Sequence, residues 1–220
     1  MPAHRALLFL LIPLFAGCQS LGWQNDAPPR ATERLQGLLT VDDGQLEFRS
    51  CQGERQLRLV DSIESGLLDD ALALGGDTGA TLFTDVRGTL ASQDNQDRME
   101  LSRVYRVQAE GHGCGAEGFR QLILRAHGNE PGWSLRVTRD GMLLERIDQP
   151  PLALPYLEEQ LPGGQTHFSS EANGQQIGLW VAPQRCVDDA SGAVSHLTAE
   201  LRLGTDVLRG CAYYGGARND

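Results

Sequence analysis

The sequence predicts a mainly β protein: two small antiparallel β domains, the first OB-like with one helix, preceded by a cleaved signal peptide and a tether. Three observations carry this. Short stretches alternating apolar and polar residues recur along the chain with Gly- and Asp-rich turns between them. A single segment follows the helical period instead. Beyond an N-terminal leader and the cysteine that follows it stand four more cysteines, an even number that suits disulfides in an exported chain.

Residues 1–17 read as a lipoprotein signal peptide. Arg5 and the amine supply a small positive region, and "ALLFLLIPLFA" at 6–16 is apolar but only eleven residues long. A bilayer-crossing helix needs roughly 20. The run ends in Ala16-Gly17-Cys18, the small-residue pair and cysteine at which a lipoprotein peptidase cuts after the thiol has received a diacylglyceryl group. Cys18 is therefore the expected lipidation site, and stable anchoring takes at least two acyl chains. Gln19, standing where many bacteria use Asp to retain lipoproteins in the inner membrane, points to the outer membrane. Residues 18–33, polar and Pro-containing, read as a tether that leaves the folded body in the periplasm.

Residues 34–118 form the expected OB-like β domain. "LQGLLTV" at 35–41, the turn 42–44 and "QLEFRS" at 45–50 make a hairpin, and "RQLRLV" at 55–60 alternates again. A helix is expected from Asp61 as cap, with Glu64 as capping-box partner and Ile63, Leu67, Ala71 and Leu74 on one face, ending at Gly75-Gly76. Two longer strands follow at 80–90 and 98–110. Glycine-rich 110–118 marks the boundary. Three strands, a helix and two strands match a five-stranded Greek-key barrel.

Residues 119–220 form the second expected β domain. Strands are expected around 119–128, on both sides of the Arg139–Gly141 turn, at 176–183, and at 196–214 across the Gly204–Asp206 turn. "HLTAELRLG" alternates most cleanly, with Leu197, Ala199, Leu201 and Leu203 facing in. "PYLEEQLPGG" at 155–164 reads as a short helical turn started by Pro155. The cysteines beyond the anchor allow three pairings; a two-domain split favours Cys51–Cys114 and Cys186–Cys211.

The chain carries a formal charge of −10, and all nineteen basic residues are Arg. A net-negative surface with scattered cations excludes nucleic acid as a partner, because phosphate binding needs clustered positive charge. It suits a solvated surface or a basic protein partner. No metal or other cofactor is expected: there is no C-x-x-C pair, and His112 beside Cys114 reads as turn chemistry. Asn129, Glu130 and Trp133 form the one cluster that invites a site. An Asn-Glu-Pro corner beside an indole is either a ligand-binding edge or a structural turn with Trp133 as core plug. Asp188, Asp189, Ser191 and His196 supply the residue types of a hydrolytic triad. Ser191 lacks a nucleophile elbow, however, and His196 opens a strand on its outward, solvated side, so no catalytic residue is expected.

"GNEPGW" (128–133), with "RCVDDASGAVSHLTAELRLGTDVLRGCA" (185–212), resembles a family of uncharacterised bacterial envelope lipoproteins. Its members carry a GNEPxW turn and a later Cys-x-Asp-x-x-Ser-Gly…Gly-Cys pair. The match spans about half of the mature chain and implies an envelope protein without an established activity. "LQGLLTVDDGQLEFRSC" and "DVRGTL" more loosely resemble the OB-like domain of NlpE, an outer-membrane lipoprotein linked to copper. The C-x-x-C element of that protein is missing, so the resemblance implies fold rather than metal sensing. The expected function is a non-enzymatic binding module for an envelope protein or a small molecule. The alternative is a periplasmic inhibitor of C-type lysozyme, whose Ser-Gly loop Ser191-Gly192 resembles, although the lysine of those inhibitors has no counterpart here. A hydrolase is the third reading.

Overall fold

Asp43 and Gly44 both take positive φ, 48° and 74°, the geometry of a two-residue hairpin turn whose twist matches its strands. They join β1 (Thr32–Asp42) to β2 (Gln45–Ser50), with Asp42 opposite Gln45. The computed structural model describes residues 32–53, 55–75, 79–93, 96–111, 113–171 and 174–218. Cys18, the signal peptide, nearly all of the tether and His112 lie outside the described residues.

β2 continues antiparallel into β3 (Gln56–Val60). After one helix come β4 (Leu82–Gln93) and β5 (Gln96–Gln108). β1 is long enough to pair with β2 through its second half and with β4 through its first. β4 pairs with β5, and β3 with β5 in parallel. These pairings close five strands into the barrel expected of an OB-like unit. Closure needs a tight crossing, and Gly37 supplies it, because a Cβ there would press into the Phe48 ring and the Arg49 carbonyl. Leu39, Phe48, Leu57, Leu82, Val86 and Met99 fill the interior.

The helix is shorter than its sequence suggests. α1 spans Leu67–Ala73 and buries Leu67 and Ala71 against the barrel. Asp61 does not cap it. Its carboxylate takes the backbone N–H and the hydroxyl of Ser65, at 2.9 and 2.8 Å. Glu64 and Gly66 turn left-handed, with φ of 50° and 79°. Local side-chain hydrogen bonding thus competes with the first helical turn, and Ile63 stays exposed.

The second sheet has nine strands, all antiparallel. β6 (Leu122–Asn129), β7 (Gly132–Thr138), β8 (Gly141–Arg146) and β9 (Gln149–Leu154) form a meander. β10 (Leu157–Gln160), β11 (Thr166–Ser170) and β12 (Ile177–Ala182) form another. β15 (Leu197–Leu203) and β16 (Asp206–Tyr214) join the two, in the order β10-β11-β12-β15-β16-β6-β7-β8-β9. The helical turn expected at 155–164 is instead β10 followed by a 3₁₀ turn, Pro162–Gly164. Only Pro155 and Tyr156 separate β9 from β10, although the two strands lie at opposite edges. Consecutive Cα atoms are about 3.8 Å apart, so the edges must approach each other and the sheet must curl. Its concave face holds one core, including Leu124, Leu135, Leu144, Phe168, Leu179 and Leu201.

Between β12 and β15 the chain leaves this sheet. β13 (Cys186–Val187) and β14 (Val194–Ser195) extend the barrel sheet instead, Ser195 pairing with Arg106 of β5. Cys186 is disulfide-bonded to Cys211 of β16, and Cys51 to Cys114, with Cα separations of 5.5 and 5.3 Å. Arg34 adds a polar clamp: it pairs with buried Asp85 at 2.8 Å and donates to the carbonyls of Tyr214 and Gly215.

Candidate functional site at the Asn129–Asp188 junction

The β6–β7 hairpin carries the GNEPGW stretch. Asn129 faces Gly132 across the turn Glu130-Pro131, whose peptide bond is cis. Trp133 is 4% exposed and belongs to the concave core. Gly128 lies directly across from it, and a Cβ there would meet the indole and the Arg209 carbonyl. Glu130 is exposed at the corner. The three residues therefore divide, with Trp133 inside, Glu130 outside and Asn129 at a junction.

That junction is made by the excursion 186–195. Asp188 is 7% exposed, and its Oδ1 accepts the Ser191 hydroxyl at 2.7 Å and the N–H groups of Ser191 and Ala190 at 2.8 and 3.2 Å. Its Oδ2 accepts the Asn129 amide at 2.9 Å, with His127 Nε2 at 3.4 Å. Burial pushes the Asp188 carboxyl up, but the Ser191 and Asn129 donors outweigh it and hold the group below its ordinary range. Burial lowers His127 and favours the neutral imidazole, against the pull of Asp188 toward the protonated form.

These contacts order the candidate catalytic types differently from a triad. The Ser191 hydroxyl donates to a carboxylate, and Asp188 stands between Ser191 and His127. His196 is elsewhere and is not a solvated outward residue. Its Nδ1–H donates to the Tyr105 carbonyl at 3.0 Å, and its ring meets those of Tyr105 and Tyr214. The reason is β14, which draws the chain onto the barrel just before residue 196. Asp189 lines the surface beside Glu130.

Two clefts meet at the Asn129–Asp188 pair. The outer one, about 550 Å³, is lined by Glu130, Asp189, Val207, Arg209 and the Cys186–Cys211 disulfide. The inner one, about 360 Å³, lies between the convex face of β6 and β16 and the β5–β14 wall of the barrel. Arg106, Gln108, Arg125, His127, Ser195 and Tyr213 line it. Arg106 and His127 were missed in the sequence. The structure buries Tyr105–Gln108, four consecutive positions at the end of β5, which alternation in the sequence does not announce.

Among the described residues, no group of three or more His, Cys, Asp or Glu side chains is placed to hold a metal ion. No helix among them is long and apolar enough to cross a membrane. Compared with known proteins, the chain matches no family model, no curated protein and no solved structure.

Proposed function

We propose that this protein is a non-enzymatic binding module of the bacterial envelope. In this reading it is anchored in the outer membrane through acylated Cys18, with its β body in the periplasm. The Ala-Gly-Cys sequence and the polar tether support the anchor, and the GNEPxW resemblance supports an envelope role. One observation carries the binding assignment. The Asn129–Asp188 hydrogen bond ties the β6–β7 turn to the 186–195 excursion, with an open cleft on either side. A carboxylate occupied by four N–H and O–H donors is poorly suited to shuttle protons and well suited to hold cleft walls in place.

Affinity capture from envelopes, with the lipid anchor intact, tests this. A discrete protein or small molecule should be retained by the wild type and reduced at least tenfold by Asn129→Ala or Glu130→Gln. Equal retention by all three proteins would sink the reading. Two further arms separate the rival activities. Inhibition of C-type lysozyme in a turbidity assay would assign the chain as an inhibitor. Esterase or glycosidase turnover lost on Ser191→Ala would make it a hydrolase.

A further inference from the structure

Arg34 shows a largely buried guanidinium fully engaged in this molecule: it pairs with Asp85 and donates to two carbonyls. Arg106 has none of this. It is 6% exposed, lies over the rings of Tyr213 and Phe83 at 4.0 and 4.6 Å, and has Nε and Nη2 sealed from solvent without a hydrogen-bond partner. Among the described residues, no carboxylate lies within ion-pair distance of it. Asp85, the acid that most influences it, is already occupied by Arg34 and Gln36. A cation taken out of water without a counterion is among the least favourable arrangements in a protein interior, and aromatic faces compensate only in part. Arg106 lines the inner cleft, and Nη1 is the one guanidinium nitrogen that is not both sealed and unpartnered.

The rest of that cleft points the same way. Arg125 and His127, two residues apart on β6, present their side chains on one face beside Arg106. Gln108 and Ser195 add neutral hydrogen-bonding groups. The Asp188 carboxylate in the wall is consumed by its own donors. Exposed Glu110 at the rim is the cleft's other acid. A volume of about 360 Å³ suits a small molecule. We infer that the inner cleft binds a small ligand through a carboxylate or phosphate group, anchored on Arg106 and supported by Arg125. This rests on the binding-module reading and names the ligand chemistry of one of its two clefts.

The test uses the mature full-length chain in detergent micelles. Thermal melts and titration calorimetry are run with inorganic phosphate, acetate and citrate, against chloride at matched ionic strength. Phosphate and the two carboxylates distinguish the possible headgroups. At a hundredfold excess over its Kd, the preferred anion should raise Tm by roughly 5–10 °C. Arg106→Met should abolish that rise, Arg125→Gln should weaken binding at least fivefold, and Glu110→Gln should preserve it. Should Arg106→Met fail to fold, wild-type calorimetry and the Arg125→Gln variant decide. A wild type that responds to no anion beyond chloride overturns the inference, as does an Arg106→Met protein that responds normally. So does a wild type indifferent to anions whose Glu110→Gln variant melts several degrees lower, since Glu110 would then be the internal counterion. Envelope capture reads the broader assignment independently. Capture without an anion response removes this inference alone, and failure of both removes both.

Discussion

Asp85 and Asp188 are two carboxylates withdrawn from water and satisfied by different donors. Asp85 is fully buried and faces a cation, Arg34, with Gln36 as a third donor. Removing one partner of a buried pair leaves an uncompensated charge and costs about 3–5 kcal/mol. Arg34→Met should therefore lower the urea midpoint by that equivalent, and Arg34→Met/Asp85→Leu should recover part of it. A single variant as stable as the wild type would show that the clamp is dispensable. Asp188 instead uses neutral donors and has beside it His127, which burial keeps neutral, and this gives a pH dependence of definite sign. Both groups are lowered in the folded state, so the unfolded chain binds more protons and stability falls on acidification. His127, which also faces Arg125 and Arg106, contributes first, as pH drops below about 6.5. Asp188 contributes only as pH falls below about 4. Urea midpoints from pH 8 to 4 should decline, and His127→Phe should flatten the upper part of the profile. An unchanged slope above pH 5 in that variant would remove His127 from the account. Asp188 and Ser191 were legible as a loop before the final hairpin, but the Arg34–Asp85 and Asn129–Asp188 contacts were not, because partners 51 and 59 positions apart leave no local pattern.

Strands and turns were easier to read. Alternation located most strands, and Asp43-Gly44 and Arg139–Gly141 marked hairpins from turn chemistry alone. The failures share a physical cause, competition the local pattern does not display. Asp61 bonded Ser65 instead of starting a helix. The polar 157–160 stretch formed a strand because an edge of the curled sheet was available to pair with it. The excursion to β13 and β14 was invisible, since two-residue strands carry no period. The β6–β7 hairpin permits a sharp test. Trp133→Ala removes a buried aromatic from the concave core and should cost about 3–5 kcal/mol. Glu130→Gln alters an exposed corner and should stay within about 0.5 kcal/mol. A stable Trp133→Ala protein that no longer retains its envelope partner would make the indole a ligand contact instead. Gly37 tests barrel closure in the same way. Gly37→Ala forces a Cβ into Phe48 and should cost about 1–3 kcal/mol by chemical denaturation.

At the scale of the whole molecule, residues 31–220 cluster as one unit carrying both sheets. The seam is polar and local: the Arg34 clamp, β14 on β5, and His196 against Tyr105. The Cys186–Cys211 disulfide sits at the root of this seam, since Cys186 opens the excursion and Cys211 lies in β16. Its loop of 25 residues gives a stabilisation of about 3.5 kcal/mol in the chain-entropy model, against about 4.3 kcal/mol for the 63-residue loop of Cys51–Cys114. The two bridges are thus close in strength but differ in what they hold. Losing Cys51–Cys114 loosens one end of the barrel. Losing Cys186–Cys211 frees the segment that pairs the second half of the chain to the first and that carries Asp188 and Ser195 into the clefts. Cys186→Ser with Cys211→Ser should therefore lower stability and also speed exchange of the amides that bridge β5 to the excursion, Val107 opposite Val194 of β14 and His196 on the Tyr105 carbonyl. The Cys51→Ser/Cys114→Ser pair should leave those amides protected at matched stability. Native-state hydrogen exchange reads this position by position. If β5 keeps its protection after Cys186–Cys211 is removed, the barrel holds β14 without help, and the disulfide serves the curled sheet alone.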